Sequence, residues 1–196
     1  MSAIVDRAIA AAGLDDVLIK RRAGDERAID PSRLVAADLL VLGALADRVR
    51  EEEVGAEVRV LPLTRHEDVG VALLPAVDQK LTGLELLRAV AVARLTGPHA
   101  GAVRVDFGQS GLEIAQVALG FGANELIGPI VSKSGAAFAP GALVGVGRRS
   151  RLELASVAKR RELEGFIRLT GREPVFVDAE GRTLTHVRHM AEDSGS

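Results

Sequence analysis

Between Leu84 and Ile130 the spacing of apolar residues changes period, and the changes mark off a helix, a strand, a second helix and a second strand. Thr82 and Glu85 have capping-box spacing, apolar residues then fill Leu84 to Leu95, and Gly97-Pro98 stops the helix. Val103, Val105 and Phe107 alternate with Arg104 and Asp106, the two-residue period of a half-buried strand. Gly108-Gln109-Ser110-Gly111 reads as the turn that follows. Ser110 and Glu113 repeat the capping-box spacing, so Ser110 is expected to cap a helix over 111–119 with Leu112, Ala115, Val117 and Leu119 inward or at its flanks. Gly120-Phe121-Gly122 offers a left-handed C-terminal cap, and the next strand is expected over Leu126 to Val131. A crossover of this length suits a right-handed parallel connection, which makes the two strands neighbours in one sheet.

The flanking sequence is less periodic. Residues 2–12 read as a short alanine-rich amphipathic helix, and 13–29, with Lys20-Arg21-Arg22, as a polar connection. Asp30 followed by Pro31 looks like an N-cap with proline at the first helical position, opening a helix to about Glu53 whose charged end, Asp47 to Glu53, reads as a solvated face. A strand is expected over Val58 to Leu63. Ser134 to Gly147 is rich in glycine and small apolar residues and reads as a loop. Ser150 and Glu153 again have capping-box spacing and open a helix to Thr170, stopped by Gly171. Val175 to Val177 and Thr183 to Val187, either side of Asp178-Ala179-Glu180-Gly181-Arg182, suit a small hairpin, and the last residues read as a disordered tail. The division is into N-terminal helices (1–56), a parallel βαβ unit (57–133) and a C-terminal helix with hairpin and tail (134–196).

Three groups of segments carry a resemblance. Leu86 to Leu95, Gly111 to Leu119 and Gly122-Ala123-Asn124-Glu125-Leu126-Ile127-Gly128 resemble the C-terminal half of a radical S-adenosylmethionine family that holds aminofutalosine synthase, dehypoxanthine futalosine cyclase and the deazaflavin synthase subunits. Ala37-Asp38-Leu39-Leu40, Leu42 to Arg50 and Arg65-His66 are similar to the helix and first barrel strand that open those enzymes, and Ile167 to Pro174 to their C-terminal end. The matching stretches come in the family's order and cover about half of the 196 residues. The resemblance implies an α/β fold, a partial TIM-type barrel, with a C-terminal helix and a small hairpin appended. It also implies a relation to futalosine-pathway menaquinone biosynthesis.

The chain departs from that family where the chemistry resides. The family places three cysteines after the first strand to hold a four-iron four-sulfur cluster, and the corresponding residues here are Glu67-Asp68-Val69-Gly70-Val71-Ala72-Leu73-Leu74. No cysteine occurs anywhere in the chain, so the soft sulfur donors a cluster needs are missing. No cofactor is expected on this chain, although the family uses S-adenosylmethionine and the cluster. The chain is also short for a complete barrel of about 250 residues. In a closed eight-stranded barrel the first strand lies beside the eighth, so losing the middle of the barrel leaves strands one, seven and eight contiguous. The expected sheet is therefore Val103 to Phe107, then Leu126 to Val131, then Val58 to Leu63, all parallel, with the helices over 84–95 and 111–119 outside.

Composition narrows the function classes. A hydrophobic fraction of 47% is ample for a core, while aromatics make up 3% and tryptophan and tyrosine are absent. That leaves no aromatic platform for stacking bases, and a net charge of −2 gives no basic surface for a polyanion. No apolar run is long enough for a membrane span, and Met1 to Asp6 lacks a basic signal-peptide start, so a cytoplasmic protein is expected. The expected partners are a full-length radical homologue or a second copy, meeting at sheet edges that the chain's own hairpin could also cover.

The candidate ligand-binding residues are Gln109, Ser110, Gly111, Asn124, Glu125, Arg65 and His66; none is assigned as catalytic or metal-binding. Gln109, Ser110 and Gly111 lie where a parallel strand hands over to a helix N-terminus, a place where free N–H groups attract anions, and where barrel enzymes bind phosphate. The competing reading is that Ser110 only caps a helix. Asn124-Glu125 sits where the resemblance implies an Asn-Asp pair on the substrate side, and the extra methylene moves the carboxylate; alternatively the pair only shapes the entry to a strand. Arg65-His66, followed by Glu67-Asp68, would face the same side. His186 and His189 fall near the terminus, and His99 reads as a solvent loop residue on the opposite end. No nucleophile motif, Walker loop or dinucleotide fingerprint occurs. Three roles stay open: a noncatalytic partner of a radical enzyme, a small-molecule-binding domain or non-radical enzyme, and an inactive remnant.

Overall fold

The computed structural model describes residues 3–62, 81–131, 158–178 and 181–184. The expectations for Arg65-His66, the loop that replaces the cysteines, the 134–147 loop, the Ser150 cap and His186/His189 fall outside those residues.

Residues 3–54 are mostly helical. Helix α1 (Ala3–Ala11) agrees with the expected amphipathic helix. The stretch read as a polar connection instead holds α2 (Asp15–Arg22) and a 3-10 turn at Glu26–Ala28. Asp15 and Asp16 in its first turn and Lys20, Arg21 and Arg22 in its last suit the helix dipole, a charge order that the polar composition concealed. Asp30 caps α3 (Pro31–Ala36) by accepting from the Ser32 N–H, with Pro31 at N1. The expected long helix is broken here: Ala37 is extended, and Asp38 accepts from the N–H groups of Leu40 and Val41 to start α4 (Leu39–Val54). Two caps eight residues apart make two helices, because each aspartate competes with the helix backbone for its own N–H groups.

Strand β1 (Glu57–Pro62) follows. Helix α5 (Gly83–Thr96) starts with the full Thr82/Glu85 capping box and leads to β2 (Arg104–Asp106). A four-residue helix α6 (Phe107–Ser110) and helix α7 (Leu112–Leu119) connect β2 to β3 (Glu125–Gly128). A separate parallel pair, β4 (Ile130–Val131) with β5 (Ala158–Lys159), leads into α8 (Arg160–Arg168) and β6 (Glu173–Phe176).

The main sheet is parallel, in the order β2-β3-β1-β6. Its first three strands stand in the expected order. The fourth, β6, is expected from the sequence only as a hairpin arm. It is both: it pairs with β1 from Glu57↔Glu173 to Val60↔Phe176, and on its other side the Leu184 N–H bonds to the Phe176 carbonyl. Together with the antiparallel Val177↔Thr183 bridge, this bond folds the chain's own hairpin back onto β6.

Register sorts the strand residues into two faces. Val58, Val60, Val105, Leu126 and Phe176 point one way and join a single hydrophobic cluster with Leu42, Leu45 and Val49 of α4, Leu87, Val90 and Leu95 of α5, Ala115 and Leu119 of α7, and Leu163 and Ile167 of α8. Ile9, Leu14, Val17 and Leu18 extend this cluster outward. The other face carries Arg104, Glu125 and Arg59 side by side in one row, and Ile127 and Val177 are buried outside the main cluster. Among the described residues no helix is long and apolar enough to cross a membrane.

Candidate functional site

The carboxyl end of β2 is built around Asp106 rather than Ser110. Its carboxylate accepts from the N–H groups of Gly108 (2.8 Å) and Gln109 (3.2 Å) and so caps α6. The segment expected as a turn is therefore a short helix. Ser110 closes that helix, donating its hydroxyl to the Asp106 carbonyl at 2.8 Å. The expected Ser110/Glu113 capping box does not form: the N-cap of α7 is Gly111, at φ 85°, with no side-chain cap. Asp106 and Ser110 both offer a cap at this strand end, and the residue nearest the strand takes the first free N–H groups. Gln109 is exposed. In the segment expected to bind an anion at Gln109, Ser110 and Gly111, the N–H groups of Gly108 and Gln109 already serve a carboxylate, which repels a second anion, and the Gly111 N–H donates to the Phe107 carbonyl.

Asn124 and Glu125 lie at the opposite end of the sheet, at the entry to β3. Asn124 is buried and holds two donors on its Oδ1, the Val103 N–H and Arg94 Nη2, each at 2.7 Å. Arg94 is 1% exposed, and its guanidinium also donates to the carbonyls of Gly122 and Gly101, both at 2.9 Å. Burial lowers its pKa to about 10, against the raising pull of Glu53, so it stays charged at neutral pH. Gly122, at φ 97°, is needed here: a Cβ would meet Arg94 Cβ and Cγ at 2.9 Å.

Glu125 is completely buried. Its Oε1 pairs with the Arg104 guanidinium, and Oε2, which receives no hydrogen bond, faces Arg59 Nη1 at 3.4 Å. The carboxylate thus bridges three neighbouring strands. Both carboxylate oxygens therefore face guanidinium groups of the neighbouring strands.

Of the candidate ligand residues, then, Gln109, Ser110 and Gly111 stand at one end of the sheet and Asn124 and Glu125 at the other, and Arg65 and His66 lie outside the described residues. No protein-family model matches the chain, and no curated protein does. Among the described residues no group of three or more His, Asp or Glu side chains is placed to hold a metal ion. The donor set does not fit the iron–sulfur cluster that the resemblance implies, since the chain supplies no thiolate.

A second charged centre escaped the sequence reading. Glu53, at the end of α4, has a side chain only 5% exposed, so within the solvated face expected over Asp47 to Glu53, Glu51 and Glu52 are exposed while Arg50 and the Glu53 carboxylate turn inward. It accepts from Arg21 Nε at 2.9 Å and Nη2 at 2.5 Å and from the Ala100 N–H at 3.0 Å, with Arg94 Nη1 at 3.8 Å. His99 is the exposed loop residue expected, yet its Nδ1 lies 3.4 Å from the same carboxylate. Asp47 is similarly engaged, by Arg50 at 2.8 Å and Arg172 at 2.6 Å. The signal for these pairs was present only as isolated charges in apolar company, such as Arg94 among Ala91, Val92, Ala93 and Leu95.

Proposed function

We propose that this chain is a cysteine-free relative of the futalosine-type radical S-adenosylmethionine enzymes that acts without catalysing their reaction, as a partner or regulatory subunit of a full-length enzyme. The observation that carries the reading is the strand order. A strand from the first third of the chain lies in parallel between the βαβ pair β2-β3 and the C-terminal strand β6, as the first strand of a closed barrel lies beside the eighth. The helices among the described residues share one hydrophobic cluster with a single face of that sheet, and the opposite face carries a charged row, an arrangement that suits part of a barrel.

The noncatalytic role draws on the site itself. The chain has no thiolate. The polar groups the family would turn toward substrate stand at opposite sheet ends or are locked in pairs: Asn124 under Arg94, Glu125 between Arg59 and Arg104. A phosphate- or nucleoside-binding reading of the 108–111 segment has less support, because Asp106 takes the N–H groups of Gly108 and Gln109 and the Phe107 carbonyl takes that of Gly111.

Affinity capture of the chain from its native source, with mass spectrometry of what comes with it, tests the proposal. A cysteine-bearing radical homologue in stoichiometric amount is the expected result. An isolated chain, or one that binds a nucleoside saturably and loses it in Ser110→Pro, overturns the partner role.

A further inference from the structure

We draw no further inference here: the strongest candidate, the cleft of about 210 Å³ between α2, the end of α4 and the His99 loop, carries nothing because the charged groups that line it, Arg21 with Glu53 and Arg22 with Glu52, are paired with one another and no unpartnered buried group is aimed into it.

Discussion

Glu125 decides how the charged face of the sheet holds together. It is fully buried between Arg104, whose side chain is 9% exposed, and Arg59, at 36%. Removing the carboxylate strands the Arg104 charge in the interior, whereas Arg59 can turn to water. Glu125→Gln is therefore expected to cost about 3–5 kcal/mol of unfolding free energy, and Arg59→Gln less than about 1 kcal/mol. Urea denaturation of the two variants measures the difference, and equal losses would show that the row is not bridged through Glu125. The sequence offered Asn124-Glu125 as a candidate ligand-binding pair or as a polar pair shaping the entry to a strand, and in the structure both are buried. It could not say which groups would meet them, because Arg59 and Arg94 come from β1 and α5, and only the parallel register brings them beside a strand entry. For the same reason Arg21, Glu53 and Arg94 went unread: each is a long charged residue whose partner lies at least 30 positions away along the chain or on another element.

Local chemistry at the helix starts was legible where a cap had no competitor. Thr82 and Glu85 form the box that their spacing announced, with the Glu85 carboxylate accepting from the Thr82 N–H at 2.7 Å and its hydroxyl at 2.8 Å. The N–H bond first, then the hydroxyl, holds the Glu85 carboxyl below its ordinary value of 4.5. A carboxyl whose pKa is depressed by folding contributes stability that is complete above its unfolded value and is lost as pH falls through the lower, folded one. The start of α5 is thus expected to loosen below about pH 4.5, and Glu85→Gln to remove that pH dependence; amide exchange at Glu85 and Leu86 across the acid range reads it. Where two caps competed, as at Asp106 and Ser110 or at Asp30 and Asp38, the pattern gave the helix but misplaced its boundary. The side-chain fit between elements was not legible. Gly43 on α4 allows the Phe121 ring to approach so closely that a Cβ would lie 2.6 Å from it, and nothing in either local sequence announces the contact. Gly43→Ala is expected to cost about 1–3 kcal/mol through overpacking, despite alanine's better helix propensity. Phe121→Leu should recover part of that loss in the double variant, and a strictly additive double-mutant cycle would contradict the contact.

At the scale of the whole molecule, the question is what attaches the N-terminal helices to the sheet. Two kinds of tie are present. Leu14, Val17 and Leu18 are buried in the cluster that also contains Val58 and Leu126, so apolar burial alone makes α2 part of the sheet's own core. Glu53 adds a charged tie, joining Arg21 of α2 to α4 and, through Ala100, to the loop that enters β2. These ties respond differently to one substitution. Glu53→Gln leaves every apolar contact in place but leaves Arg94, 1% exposed, without its counter-ion and Arg21, 2% exposed, with only the more distant Glu26 at 3.6 Å. A loss of about 3–5 kcal/mol is expected, as for other buried pairs deprived of one partner. Because the apolar cluster is continuous, the variant should still unfold in a single transition, with circular dichroism and denaturant midpoints moving together. Within the native state, amide exchange should accelerate first in α2 and at Ala100, and least in β1 and β3, since the freed arginines can reach water only by lifting those outer segments. If β1 and β3 lose protection as early as α2, the charged tie belongs to the global core and the N-terminal helices are held by it no more than the sheet is.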